Sequence, residues 1–490
     1  MNGRQSSDRI RSSVRLTLGG TFASAVVQFA TMATLSRLLT PADYGFYIVA
    51  LSINAVSTAF IASSLERVLI IEDDAQAMNG RSVPILCVLT MVALLAFAMT
   101  NALVSGTGWA VDLRVLGMVL VAQLIAAFAL VPRAKFRRVY RYAPIIGGEV
   151  AGLILGNLTL AYLLAREGFG PISLALGMIA GNTVSSLAIL LFDRTGFESV
   201  KFRDSSHIRK TAIGLIKLTS VEAANVQVTP LVLSGLLGPI SLGLFNRVYT
   251  LTALPIQLMV ASVNRVLLTF FVDVSKDVEK SRATLRRTVR MIGFLTIPVA
   301  FGVGGASREF VEIALGEQWL DGANIVPYLT AAMSALMIAS VLGQLADATK
   351  RFNEKRKVQT IATSILIVST ILGSVGELVG VSIAFLISSM IFLALSIRLA
   401  SKIIGVAGMT VLGWLFPSLI VGGGCFAVSA ALSWSMPSQP AYLVFAMQIG
   451  GSGMIALLGA LTVARDVLGD IVSTAFPAQL AARVLRLLRT

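Results

Sequence analysis

Few side chains in this sequence are suited to chemistry, and those that are sit in or beside long apolar runs. Arg37 closes one run, Arg247 opens another and Arg265 lies well inside it. A guanidinium presents a planar fork of donors that grips phosphate in a bidentate manner, which an ammonium cannot do. The competing reading for Arg37 and Arg247 is a side chain snorkelling to lipid head groups, and for Arg265 a reach to the interface two turns away. Asn225, Asn246, Gln257 and Asn264 add neutral amides for hydroxyl or phosphate oxygens. Glu222 and Glu149 are carboxylates within apolar stretches. Such groups are candidates for proton or sodium coupling sites or for partners of an Arg, with structural pairing to a neighbouring helix as the alternative. Asp43 follows Pro41 in a turn and fits a helix cap better than a ligand site.

Other chemistries find no residues. The single histidine, His207, stands in a polar, basic loop, which removes histidine metal sites and Ser-His triads from consideration. Cys87 and Cys425 are far apart in apolar runs and read as small buried hydrophobes, neither a disulfide framework nor a thiolate metal site. No G-x-x-x-x-G-K-[ST] sequence occurs, so no P-loop drives the protein with ATP. The expectation is a non-enzymatic protein that needs no cofactor and no metal.

The elements that position these residues follow from composition. Of 490 residues, 56% are hydrophobic and 13% charged, against about 25% charged in soluble domains. Mean hydropathy is +0.83. The formal net charge is nonetheless +15. Nucleic acid is the usual partner of so basic a chain, but the apolar fraction points to anionic phospholipid instead. A helix needs about 20 mainly apolar residues to span the hydrocarbon core. Fourteen windows qualify: 16–37, 44–64, 83–105, 113–132, 143–165, 171–192, 213–237, 244–270, 289–306, 323–346, 358–376, 378–400, 410–434 and 441–464. The softest boundaries are the split at Glu377 and the end of the ninth window before Ser307–Gln318. The first window exceeds a signal peptide's apolar region of about 7–15 residues and reads as a retained span. Alternate loops hold 34 of the 40 Lys and Arg residues, all on the side of the N-terminus. The positive-inside rule makes that side cytoplasmic and both termini with it, in a multi-pass cell inner-membrane protein.

The chain also repeats itself. Residues 35–45 and 233–243 share Leu35/Leu233, Ser36/Ser234, Leu38/Leu236, Leu39/Leu237, Pro41/Pro239 and Gly45/Gly243 at an offset of 198. The copies close windows one and seven, so six windows separate them. Repeats of equal topology are related by an axis along the membrane normal, with transport sites at their interface. The predicted organisation is a cytoplasmic N-tail (1–15), a six-helix bundle (16–192), a cytoplasmic linker (193–212) and a second six-helix bundle (213–400). Two further helices (410–464) and a cytoplasmic tail (465–490) follow. In the tail, Leu480, Val484, Leu487 and Leu488 share a helical face beside Arg483, Arg486 and Arg489, a pattern for an amphipathic helix on anionic lipid. Gly148, Gly152 and Gly156 form a small-residue stripe for close helix packing, within a bundle or between protomers. The basic loops 133–142, 276–290 and 350–357 are placed by topology and lie where they could frame a cytoplasmic mouth.

The run Leu35-Ser-Arg-Leu-Leu-Thr-Pro-Ala-Asp-Tyr-Gly45, after a basic tail and one apolar window, resembles the Wzx-type flippases. These are polysaccharide transporters of the multidrug/oligosaccharidyl-lipid/polysaccharide exporter superfamily. The resemblance extends to length, helix number and duplication over the whole chain. It implies two six-helix bundles around a central cavity, alternating access and a cargo of undecaprenyl-pyrophosphate-linked oligosaccharide repeat units for exopolysaccharide, capsule or O-antigen. It further implies company with a polysaccharide polymerase and co-polymerase. On that reading Arg37, Arg247, Arg265, Asn225 and Asn264 bind substrate, and Glu222 and Glu149 are the coupling-ion candidates. For a cargo with about two negative charges, an inside-negative potential favours export by about 4–5 kcal/mol per 100 mV. Gly235 stands where Arg37 stands in the first copy, so the halves are not equivalent. A multidrug cation exporter of the same superfamily is the first rival, but it predicts an acidic cavity. A membrane glycosyltransferase, polymerase or ligase is the second, and needs larger outer loops than the span assignment leaves.

Overall fold

The computed structural model describes residues 3–58, 66, 111–139, 141–193, 227, 229–254, 271 and 277–462. Glu222, Asn225, Gln257, Asn264, Arg265, His207 and Cys87 lie outside the described residues, as do the window 83–105 and the tail 465–490. Every regular element among the described residues is helical, and none is a strand. Inside a bilayer no water satisfies backbone N–H and C=O groups, and a helix satisfies its own. The protein is an all-α, polytopic membrane protein: eight helices among the described residues are long and apolar enough to cross a membrane. The chain forms two compact units, residues 1–246 and 247–490.

In the first unit α1 (Gly3–Leu35) carries the basic N-tail and the first apolar run as one helix. A short turn leads to α2 (Pro41–Ser57). The expected span 113–132 is a bent pair, α3 (Leu113–Phe128) and α4 (Leu130–Arg138), with 45° between them. The basic segment after it is tied down: Arg137 pairs with Glu66 at 3.1 Å, and Arg141 lies over the rings of Phe136 and Phe192 at 5.6 and 5.4 Å.

Next, α5 (Ala143–Arg166) passes through a π-helical stretch, Leu153–Leu160, and packs along α6 (Pro171–Leu190). The glycine stripe makes that contact. Gly148 faces Ser185 and Ala188, Gly152 faces Gly181, and Gly156 faces Gly177 and Gly181. Lipid tails are as apolar as Leu, so association relies on backbones that approach closely and not on water expulsion. The stripe therefore joins two helices within one unit.

A helical run, α7 (Thr229–Leu254), continues where the sequence reading ended one span at 237 and began another at 244. Gly238 carries the irregularity, with φ 80°.

The second unit begins within α7 at Arg247, and its next helix among the described residues is α8 (Val278–Gly305). Its N-cap, Asp277, accepts from the N–H groups of Glu279 and Lys280 at 3.1 Å. The Lys280 N–H and ammonium hold the Asp277 carboxyl below its usual range. Then come α9 (Ser307–Ala314), a 3-10 segment (Glu317–Ile325) and α10 (Val326–Ala348). The stretch Glu317–Ala348 is largely buried and forms the centre of the unit. Around it pack α11 (Phe352–Gly373) and α12 (Glu377–Ile404), which form a hairpin through Ser374–Gly376. The split expected at Glu377 is where the chain turns, with Glu377 at φ 54°. Ser369 and Ser388 share a 2.6 Å hydrogen bond across the hairpin. A short helix α13 (Gly408–Gly413) precedes α14 (Phe416–Ser435) and α15 (Ala441–Thr462), which pack on α8 and on each other at the periphery. The core is aliphatic, with Val289, Ile292, Ile338, Leu342, Leu345 and Ile397 all buried.

The α5–α6 contact gives a direct test. Gly156→Leu should destabilise the purified protein by about 1–3 kcal/mol, as overpacking does. Gly147→Leu should be tolerated, since a Cβ there meets nothing within 4 Å. Thermal unfolding in detergent compares the two variants.

Candidate functional site

The two copies of the repeated segment meet each other. A Cβ on Gly45 would overlap the backbone carbonyl of Pro239, and a Cβ on Gly243 would overlap the carbonyl of Pro41. The contact is reciprocal: the glycine of each copy seats the proline of the other, as a two-fold relation between repeats requires. Burial follows the same register. Leu35 and Leu233 are buried, Ser36 and Ser234 are buried, and Leu38 and Leu236 are both exposed. Beside Gly45 and Gly243, Tyr44 and Leu242 are both 0% exposed.

The copies differ in how the chain enters the second helix. In the first, Thr40 is the N-cap of α2 and Asp43 stands at its third position. The Thr40 N–H and hydroxyl donate to Asp43 Oδ2 at 2.9 and 2.7 Å, while Asp43 N–H donates to Thr40 Oγ1 at 3.3 Å. This capping box satisfies two otherwise orphaned donors and starts a new helix. Asp43 thus has the capping role expected of it. In the second copy the same positions hold Gly238 and Ser241, which lack the carboxylate of the box, and the helical run goes on through Gly238.

The described candidate residues flank this contact or lie far from it. Arg37 is exposed in the turn four residues before Pro41. Arg247 is half-buried in α7, about one turn after Gly243. Glu149, half-buried in α5, is elsewhere: it lies one turn from Ile146, which packs on Gly20 of α1. At 1.5 Å per residue, that level is about 25 Å of helix from Arg37. Glu149 therefore does not share a site with the turn. Cys425 is buried as expected, its Sγ 3.4 Å from the Ser452 carbonyl.

One polar cluster escaped the sequence reading. Glu309 on α9 is only 6% exposed. Ser433 Oγ donates to its Oε1 at 2.6 Å, and Gln448 Nε2 donates to its Oε2 at 3.3 Å and to the Ser429 carbonyl at 3.0 Å. Ser429 and Ser452 hydroxyls bond at 2.9 Å beneath it. Here α14 and α15 are fastened to the start of α9 beside a cavity of about 250 Å³. Because the partners of Glu309 lie 124 and 139 residues further on, only its place in a weakly assigned segment marked it in the sequence. Among the described residues no group of three or more His, Cys, Asp or Glu side chains is arranged to hold a metal.

Among the described residues the protein is helical throughout, and its two repeat copies meet through their Pro and Gly residues. Its structure is similar to "Lipid II flippase MurJ, inward closed conformation", with a TM-score of 0.73 over 93% of this chain and 100% of that one at 15% identity. It is also similar to an inward-facing MATE multidrug transporter of the MOP superfamily, with a TM-score of 0.57 over 78% of this chain and 95% of that one at 14% identity. At such identities the likeness establishes the fold. The polysaccharide biosynthesis protein family matches residues 34–324, and the chain belongs to that family. Among curated relatives, the lipopolysaccharide biosynthesis protein WzxC of Escherichia coli K12 is 24% identical over 290 residues, 56% of this chain and 58% of that protein. The succinoglycan biosynthesis transport protein ExoT of Rhizobium meliloti is 24% identical over 313 residues, 62% and 61% of the two chains. The alignments thus span about three fifths of the length of these relatives.

Two outcomes follow from this geometry. Gly45→Ala and Gly243→Ala should each lower stability by about 1–3 kcal/mol through overpacking. The double variant should cost less than the sum, because both open one contact. Glu309→Ala removes the acceptor of the Ser433 hydroxyl and of one Gln448 N–H and should cost about 1–3 kcal/mol, with Glu309→Gln milder. Melting of the purified variants in detergent measures both.

Proposed function

We propose that the protein translocates undecaprenyl-pyrophosphate-linked oligosaccharide repeat units across the cell inner membrane for exopolysaccharide, capsule or O-antigen synthesis, without catalysing a covalent step. The observation that carries this reading is that one segment, residues 34–324, holds both the polysaccharide biosynthesis family match and the two reciprocally packed repeat copies. The names of WzxC and ExoT support polysaccharide precursors as the cargo class. Alternating access is the mechanism that a duplicated transporter fold favours. The paired segments Pro41–Gly45, at the start of α2, and Pro239–Gly243, within α7, act as the gate on the side away from the N-terminus, which is the outer side by the positive-inside rule.

The termini are cytoplasmic on this reading. Arg265, inside an apolar run, carries the pyrophosphate with a bidentate grip, and Arg37 and Arg247 receive it beside the gate. Asn225 and Asn264 serve sugar hydroxyls or phosphate oxygens. Glu222 and Glu149 are the positions for a coupling ion, and the membrane potential drives the anionic head group outward. A polymerase and co-polymerase take the exported unit onward.

Removal of the gene should leave completed repeat units on undecaprenyl pyrophosphate at the cytoplasmic face, as lipid extraction and mass spectrometry would detect. Normal levels of these intermediates would refute the assignment. Restoring the gene with Arg265→Ala should reduce surface polysaccharide at least tenfold at an unchanged amount of inserted protein, and wild-type export would take Arg265 out of the site.

A further inference from the structure

A groove of about 690 Å³ runs along the C-terminal end of α12 and the start of α13. Its walls include the apolar side chains of Met390, Leu393, Ala394, Ile397, Met409 and Leu412, and Arg398, Ser401 and Lys402 stand at one end. Arg398 and Lys402 are four residues apart on one helical face, and both are exposed. Like charges at this spacing repel, so an isolated pair is unfavourable. Neither makes an ion pair with a carboxylate among the described residues. Between them in sequence, Ser401 Oγ is buried and lacks a hydrogen-bond partner among the described residues. Buried hydroxyls are almost always bonded, so this one awaits an acceptor or donor. A third guanidinium, Arg282, reaches the same corner, donating from Nη2 to the Ile404 carbonyl at 3.1 Å while Nη1 donates to Glu279.

We propose that this groove binds an anionic diacyl phospholipid, with the headgroup phosphate on Arg398, Lys402 and Ser401 and one acyl chain along the apolar wall. Charge complementarity selects the headgroup, and apolar walls in a membrane-spanning unit select the chain. Basic pockets between spanning helices are suited to anionic lipid heads on the basic side of a membrane protein. The choice of a bulk phospholipid over the cargo carrier rests on the place of the site. It lies at the end of α12, in the second unit, and none of the residues assigned to cargo lines it. The site is independent of the transport reading, because binding is measured without export.

The experiment uses the full-length protein in nanodiscs or detergent, titrated with phosphatidylglycerol and with phosphatidylcholine and read by native mass spectrometry. Wild type should retain phosphatidylglycerol at least tenfold better than phosphatidylcholine. R398Q/K402Q should lose that preference, whereas K350Q/R356Q, which removes two positive charges outside the groove, should keep it. Ala394→Trp fills the exposed apolar wall while leaving both cations, and should also abolish retention; it decides the matter if the double charge variant does not fold. Equal loss in both charge variants, or retention unchanged in Ala394→Trp, would overturn the site. Binding of undecaprenyl phosphate but not phosphatidylglycerol through Arg398 and Lys402 would overturn it too, in favour of the carrier lipid.

Discussion

The reciprocal seating of Gly45 on Pro239 and of Gly243 on Pro41 is the constraint from which the first unit is organised. Each member of the contact has a separate physical reason. A proline cannot donate a backbone hydrogen bond, so its neighbourhood is where a helix starts or is disturbed. A glycine has no Cβ, so another backbone carbonyl can come to rest against it. Exchanged between two copies, the pair makes a close-packed crossing that neither copy could form alone. The crossing also fixes register, since a shift of one residue would put Tyr44 or Phe46 against a proline carbonyl.

The second unit adds a buried polar network to its close contacts. Its centre is an ordinary aliphatic core around α10, but its peripheral helices are secured through polar groups. Glu309, Ser433, Gln448, Ser429 and Ser452 form a buried network where α8 ends and α14 and α15 pack. Hydrogen bonds are a natural adhesive between helices whose surroundings are already apolar. Both means open to membrane helices serve in both units: in the first, Asn182 Nδ2 donates to the Ala122 carbonyl at 2.9 Å, and in the second, Gly380 meets the Gly373 backbone across the α11–α12 hairpin.

Much of this was readable in the residues, and the remainder shows where reading stops. The Pro and Gly registers at an offset of 198 revealed the duplication, and the glycine stripe on α5 revealed a helix contact, because both are local patterns with one mechanical meaning. The break at Glu377 was visible as a gap in apolarity, and the chain does turn there. The continuous run through Gly238 was missed, although its cause lies in plain view: Thr40 and Asp43 of the first copy are replaced by Gly238 and Ser241, and the capping box goes with them. The Glu309 network was out of reach, since a carboxylate in a short loop helix looks like surface until partners far along the chain arrive. Arg37 precedes the proline of the first copy by four residues, Arg247 follows the glycine of the second by four, and Glu149 is about 25 Å of helix from Arg37.

The proposed gate is most directly tested by tying the two repeat copies together. In a chain with Cys87 and Cys425 replaced by Ala, Ala42→Cys and Ile240→Cys put one thiol on each copy, at equivalent positions beside Pro41 and Pro239. A short, reducible bifunctional reagent should join them in membranes, halt export of the oligosaccharide, and release it again on reduction. Undiminished export from fully cross-linked protein would contradict the account.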